Sequence, residues 1–306
     1  MTINNPLPIA LTVDVEGEWF ELPGEQGVFD VNKVLSAVDN LETILERIEI
    51  KIGTRIPITW FIRCDDSVAA TTGDVAGLLQ SLDSFIKRRT VLGDEFGLHP
   101  HLYCINEGKW GSETNHDNQQ VQVERAAEAW KKYFGSGPKL SRIGEALMNN
   151  TLAKCLSKLG VEIDSSALPD RKRFDSGFQF DWIGTPTLPY VPSEEDYRRP
   201  ANNEEAAHSF IEMPFTMLPI MAIHDKAPIN RYCNFAFRPN LMKNAMRLIN
   251  RPRMIVAVVH PHELIHGNHN HPIIAHNPTS LENNIFSLID IFGDLDFTLL
   301  TSYNAN

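Results

Sequence analysis

Apolar residues along this chain alternate between short continuous runs and longer stretches at helical spacing. The segment Pro8-Ile-Ala-Leu-Thr-Val-Asp-Val is a short run rich in β-branched residues, which reads as a buried parallel strand with Asp14 and Glu16 at its C-terminal end. Over 31–48, apolar residues recur at helical spacing (Val34, Leu35, Val38, Leu41, Ile44, Leu45, Ile48) and predict an amphipathic helix. The strand signature returns at 56–62, a helix is expected over 75–87, and Glu95-Phe-Gly-Leu-His is strand again. A helix over 119–134, a short strand near Leu140, a helix over 149–159 and a strand over 161–164 continue the order. Repeated strand-then-helix predicts a parallel sheet with helices outside it, either doubly wound or closed into a barrel.

The rhythm fails over 169–230, where prolines recur at 186, 189, 192, 200, 214, 219 and 228. Trp182, Phe210, Ile211 and Phe215 in this stretch need burial, so it reads as long loops, with a β-hairpin among them, that shape a cleft. A helix over 239–249, the strand Met254-Ile-Val-Ala-Val-Val-His, a helix over 281–292 and a final strand over 297–300 complete the chain. The expectation is one catalytic domain over 1–306 with a loop-rich insertion at about 169–230.

Composition narrows the partners. With 42% hydrophobic and 22% charged residues the 306-residue chain can bury a large core, and a net charge of −11 argues against a nucleic-acid backbone or an anionic membrane. The first residues carry no basic region before the apolar run reaches Asp14, and no apolar stretch is long enough to span a bilayer. The cysteines Cys64, Cys104, Cys155 and Cys233 form no CxxC pair and read as buried small residues in a reducing compartment. Together these predict a cytoplasmic protein.

Three predicted strand ends carry metal-ligand chemistry: Asp14-Val-Glu16, His99-Pro-His101 and His260-Pro-His262. Residues two apart in an extended chain point the same way, so each pair can aim into one site at the C-terminal edge of the sheet. Imidazole and carboxylate ligands suit a divalent metal, zinc above all. His266, His269, His271 and His276 lie in an Asn/Gly/Pro-rich stretch and read as a solvated loop.

These residues resemble the polysaccharide deacetylases of the NodB-homology superfamily, in the branch acting in cell-surface glycan biosynthesis, which fold as a distorted (β/α) barrel. Thr12-Val-Asp-Val-Glu-Gly is similar to the acidic motif at the family's first strand, in its Asp-x-Glu form rather than the commoner adjacent acids. The resemblance implies Asp14 as catalytic base and Glu16 as metal ligand, with the opposite assignment open. Glu95-Phe-Gly-Leu-His-Pro-His resembles the histidine motif, implying His99 and His101 as metal ligands; the commonest pattern would place the second histidine where this chain has Tyr103. Leu140-Ser-Arg-Ile-Gly-Glu implies that Arg142 orients the catalytic aspartate, and Val258-Val-His260 that His260 is the general acid. Arg63 and Asp65, ending Ile58-Thr-Trp-Phe-Ile-Arg-Cys-Asp, are expected to contact substrate, as is His262. Asp164 is expected either to line the cleft with Ser165 or to cap a turn.

The resemblance implies a divalent-metal-dependent hydrolase that removes an N-acyl group, N-acetyl first, from an amino sugar, nucleotide-linked or lipid-linked, in a surface-glycan precursor. Two other readings stand beside it: an amide or ureide hydrolase of a non-carbohydrate on the same fold, and a catalytically silent sugar-binding protein.

Overall fold

In the computed structural model, which describes residues 5–16, 30–106, 108–175, 178–265 and 271–302, the predicted strands assemble into one sheet. β1 (Leu7–Val15), β2 (Ile58–Arg63), β3 (Glu95–His99), β4 (Leu140–Ser141), β5 (Ile163–Asp164) and β6 (Ile211–Glu212) lie side by side in chain order, and β7 (Ile255–Val259) sits on the other edge of β1. Every neighbouring pair is parallel. A doubly wound sheet reverses its strand order part-way, where its ligand site forms. Here β1 to β6 run in unbroken chain order and only the late strand β7 returns to the free edge of β1, the order of a barrel, which decides between the two architectures left open by the sequence. β8 (Leu295–Phe297) extends it: Ile9 pairs with Ile255 on one side and with Phe297 on the other.

The barrel is distorted between β6 and β7, which share no ladder. Irregular backbone fills the gap. Met213 N donates to Asp164 O at 2.7 Å on one side; Thr216 N donates to Val256 O at 3.1 Å and Phe235 N to Val258 O at 2.9 Å on the other. Cys233 N, donating to Thr216 O at 2.8 Å, ties the two fillers together. These bonds satisfy strand edges that would otherwise be open.

Around the sheet run α1 (Val31–Ile52), α2 (Asp66–Thr72), α3 (Gly77–Ser81), α4 (Asp83–Val91), α5 (His116–Phe134), α6 (Asn150–Leu159), α7 (Pro239–Met246) and α8 (Thr279–Phe292). α1 starts where Asp30 accepts hydrogen bonds from Asn32 N and Lys33 N, and stops at Gly53 in the left-handed region at φ 72°. Its buried face is the predicted stripe from Val34 to Ile48. The single helix expected over 75–87 is instead two, broken at Leu82 (φ −93°, ψ 7°). The stretch 169–230 holds two hairpins, Lys172–Phe174 with Gln179–Asp181 and Met217–Ile220 with Ile229–Tyr232. It also holds β6, whose two residues are too few to show a period. The final strand lies at β8, earlier than the expected 297–300, and Leu300–Ser302 forms a short turn of helix.

Alternation along the strands divides the core and positions the site. Ile9, Leu11, Val13 and Val15 pack outward with the helix residues Val34, Leu41 and Ile48. Ala10 faces the interior with Phe61, Leu140, Val256 and Val258. By the same two-residue period Thr12, Asp14 and Glu16 follow Ala10 inward, His99 and His101 follow Gly97, and His260 follows Val258. Gly97 is needed where it stands, because a Cβ there would lie 2.5 Å from the Phe61 ring.

Candidate active site

The inward-facing strand ends open into a cleft of about 450 Å³ lined by Asp14, Glu16, His99, His101, Arg142, His260 and His262, among others. Asp14 is 5% exposed, and its Oδ1 accepts from Arg142 Nη1 at 2.5 Å. That guanidinium is fixed on every side. It donates to Thr12 Oγ1 at 2.9 Å, to Ser165 O at 2.9 Å and to Ser165 Oγ at 3.0 Å, and its Cζ lies 4.2 Å and 4.3 Å from the centroids of Phe61 and Phe215. A buried, fully bonded arginine holds one carboxylate oxygen and leaves Asp14 Oδ2 facing the cleft.

Beside it, Glu16, His99 and His101 bring their ligand atoms within 4.8 Å of one another, the one such group among the described residues. His99 Nδ1 lies 2.8 Å from Arg142 O, which can only accept, so this nitrogen donates. Tyr103 OH donates to Glu145 Oε1 at 2.8 Å and therefore accepts from His101 Nδ1 at 3.0 Å. Both Nε2 atoms are left with lone pairs, 3.1 Å apart, and both face Glu16 Oε2, at 3.6 Å from His99 and 3.0 Å from His101. Two lone pairs and a carboxylate aimed at one point repel unless a cation lies between them. Two nitrogens at typical zinc distance and tetrahedral angle stand about 3.4 Å apart, close to this spacing. Charge states agree with ligation. Burial lowers the His101 pKa to about 4, assisted by Arg63, so the ring is neutral at neutral pH. Burial alone would raise the Glu16 pKa, but the surrounding imidazoles of His101, His99 and His260 hold it well below the ordinary carboxylate range.

His260 completes the ring of groups. Its Nε2 is 3.7 Å from Asp14 Oδ2 and 3.5 Å from Glu16 Oε1, while Nδ1 bonds Glu263 Oε2 at 2.9 Å. Asn234 Nδ2 donates to the same Glu263 oxygen at 2.8 Å. Burial would depress the His260 pKa, but Glu263, Glu16 and Asp14 outweigh it and raise it to about 10. The imidazole is thus held as a proton carrier directed at the cleft.

Not every predicted residue reaches the cleft. Arg63 and Asp65 are 0% and 3% exposed and lie behind the floor, where Arg63 Nε donates to Asp65 Oδ2 at 2.8 Å. Asp65 caps α2 and accepts from His101 N at 3.2 Å. These two residues therefore position a histidine; the expected substrate contact is corrected by their burial. Asp164 is likewise fully buried, accepting from Ser166 N at 3.1 Å and sharing a hydrogen bond with Glu212, so it is a turn cap and not a cleft residue. Of the later histidines, His271 lines the cleft rim, and His266 and His269 fall outside the described residues. Burial raises the Cys64, Cys155 and Cys233 thiols, Cys155 to about 12, which disqualifies them as nucleophiles.

Tyr103, Glu145, Asn234 and Glu263 escaped the sequence reading. Glu263 had a signal, a carboxylate three residues beyond His260, the spacing of an i,i+3 pair. Glu145 closed the motif Leu140-Ser-Arg-Ile-Gly-Glu without a role of its own: it and Ala146 adopt positive φ (56° and 53°) in a turn after β4, which Trp182 Nε1 pins by donating to Ala146 O at 2.8 Å.

No family model and no curated protein matches the chain. Among solved structures it is similar to a candidate glycoside hydrolase/deacetylase from Parabacteroides distasonis, with TM-score 0.60 and 12% identity over 97% of this chain and 70% of that one. The chain has the fold of the polysaccharide deacetylases. A candidate polysaccharide deacetylase from Mycobacterium smegmatis aligns with TM-score 0.48 and 14% identity over 96% of this chain and 87% of that one. A candidate polysaccharide deacetylase of O-antigen biosynthesis from Bordetella bronchiseptica aligns with TM-score 0.39 and 11% identity over 85% and 74%. The distorted (β/α) barrel expected from the motifs is borne out by the strand order and by the likeness at TM-score 0.60, which at 12% identity speaks for the fold alone. Among the described residues no helix is long and apolar enough to cross a membrane.

Proposed function

We propose that this protein is a metal-dependent carbohydrate N-deacetylase, removing an N-acyl group, N-acetyl first, from an amino sugar of a surface-glycan precursor. The observation that carries the reading is the convergence of the Nε2 atoms of His99 and His101 on Glu16, beside an aspartate whose far oxygen is immobilised by Arg142. Glu16, His99 and His101 would hold a divalent ion, zinc fitting the donor set best. When bound, such an ion polarises the acyl carbonyl and makes water more acidic.

The remaining chemistry belongs to the chain. Asp14, anchored through Oδ1 by Arg142, takes the proton from the attacking water through Oδ2. Arg142 prevents that carboxylate from turning toward the histidines. An amine leaves only when protonated, and His260, steadied by Glu263, delivers the proton from Nε2 on the same side of the cleft. Each carboxylate charge neutralised in the cleft brings the His260 pKa down toward the neutral range a general acid needs. The acids divide their work by environment: Glu16 sits between the imidazoles and Asp14 on the guanidinium, which supports Glu16 as ligand and Asp14 as base. A cytoplasmic enzyme of this kind would act on a nucleotide-linked or lipid-linked sugar. Amine release from N-acetylhexosamine conjugates, abolished by chelation and restored by zinc, is the expected result. Release from cyclic ureides with none from N-acetyl sugars would overturn the assignment.

A further inference from the structure

The cleft has a second chemical character away from the acidic centre. Arg171, Arg173 and Arg231 line it together, in a chain of net charge −11. Arg173 lies in the first hairpin, Arg171 directly before it and Arg231 in the second, and Arg171 ties the two together by donating from Nη1 to Asn230 O at 2.6 Å. Two of the three are already neutralised. Arg231 forks onto Asp225 at 2.9 Å and 3.2 Å, and Arg173 Nε meets Asp175 Oδ2 at 2.5 Å while its Cζ lies 3.7 Å from the Phe178 centroid. Arg171 is half-buried and has no carboxylate partner among the described residues. Burial and the neighbouring Arg231 and Arg173 all disfavour its charge. A cation kept in such a place, facing a cleft, is compensated when an anion enters.

We infer that Arg171, flanked by Arg173 and Arg231, seats an oxyanion carried by the substrate beyond its N-acyl sugar ring, a phosphate or a carboxylate. The planar fork of a guanidinium matches both groups, and the carbonyl of Asn230 already fixes its orientation. This names the substrate class for the proposed deacetylase and rests on that reading for where the acyl group lies. It also assigns a task to the insertion: the hairpins supply the handle by which one acylated sugar is distinguished from another.

The test uses the zinc-loaded full chain with three N-acetylglucosamine probes: the neutral methyl glycoside, the 1-phosphate and the uronic acid. Binding of inorganic phosphate and of glucuronate is measured calorimetrically on the same samples. The expected result is a KM for at least one anionic probe about tenfold or more below that of the neutral one, the advantage shrinking as salt is raised. Arg171→Gln should raise the anionic KM by about tenfold, with the change falling on KM rather than kcat, and Arg171→Lys should recover part of it. Which probe gains tells phosphate from carboxylate. Equal KM values for all three probes with no anion binding would overturn the subsite while leaving the deacetylase standing. Anion binding lost in Arg171→Gln, with no amine released from any probe, would support the subsite and overturn the deacetylase.

Discussion

Gly144→Ala tests the metal site without touching a ligand. A Cβ at position 144 would lie 2.2 Å from His101 Cδ2, 2.4 Å from Cγ and 2.6 Å from Nε2, where ordinary contacts begin at 3.4 Å. The imidazole must retreat by about 1 Å, and ligand distances at such sites hold to about 0.2 Å. Retreat is opposed by the 3.0 Å bond from His101 Nδ1 to Tyr103 OH and by the 3.2 Å bond from His101 N to Asp65, so the ring either breaks these or leaves the Glu16 cluster. Overpacking of this kind costs about 1–3 kcal/mol of stability. Loss of ligand orientation costs about 10–100-fold in metal affinity. Chelator competition with zinc, paired with thermal melts, should show affinity falling by at least tenfold while a cooperative transition survives. Wild-type zinc affinity in Gly144→Ala would refute the placement of His101 as a ligand.

Other consequences follow from the same geometry. Gly97→Ala should destabilise the barrel by about 1–3 kcal/mol, because its Cβ meets the Phe61 ring at 2.5 Å and 2.6 Å; chemical denaturation measures this, and Gly97→Ala/Phe61→Leu should recover most of the loss. Burial and Asp164 raise the Glu212 pKa well above the ordinary value, and burial also raises that of Asp164. The folded state therefore keeps a proton that the unfolded chain releases. The pair's contribution is complete below the ordinary carboxylate range and is lost as pH rises toward the raised value, at about 1.4 kcal/mol per pH unit for one proton. Glu212→Gln should gain stability relative to wild type as pH rises from 5, and a pH-independent difference would contradict the shared proton. Glu263→Gln should lower the His260 pKa and reduce kcat by about tenfold or more, read from histidine proton titration and rate profiles; an unchanged titration would remove Glu263 from its role.

The strands were legible where runs were long or ended in chemistry. β1, β2, β3 and β7 announced themselves, and the two-residue period then placed Asp14, Glu16, His99, His101 and His260 on one inward face. What the sequence hid was set by tertiary context. β6 is two residues long, and its place in the sheet follows from pairing with β5 rather than from any local pattern. Arg63 and Asp65 follow a strand with the same inward parity, yet a salt bridge and a helix cap turn them beneath the floor. Glu145 reaches His101 through backbone at positive φ that no glycine or asparagine signalled. The arginines of the 169–230 hairpins carried no motif and became a group only when Asn230 met Arg171.

The central claim is that Glu16, His99 and His101 hold a metal while Asp14 acts as base. Metal content and amine release from N-acetylhexosamine conjugates, measured together on wild type, His99→Ala and Asp14→Asn, test it most directly. The account predicts about one divalent ion per chain in wild type, lost with activity in His99→Ala, and retained in Asp14→Asn with kcat reduced by at least a hundredfold. Full metal content in His99→Ala, or wild-type kcat in Asp14→Asn, would contradict it.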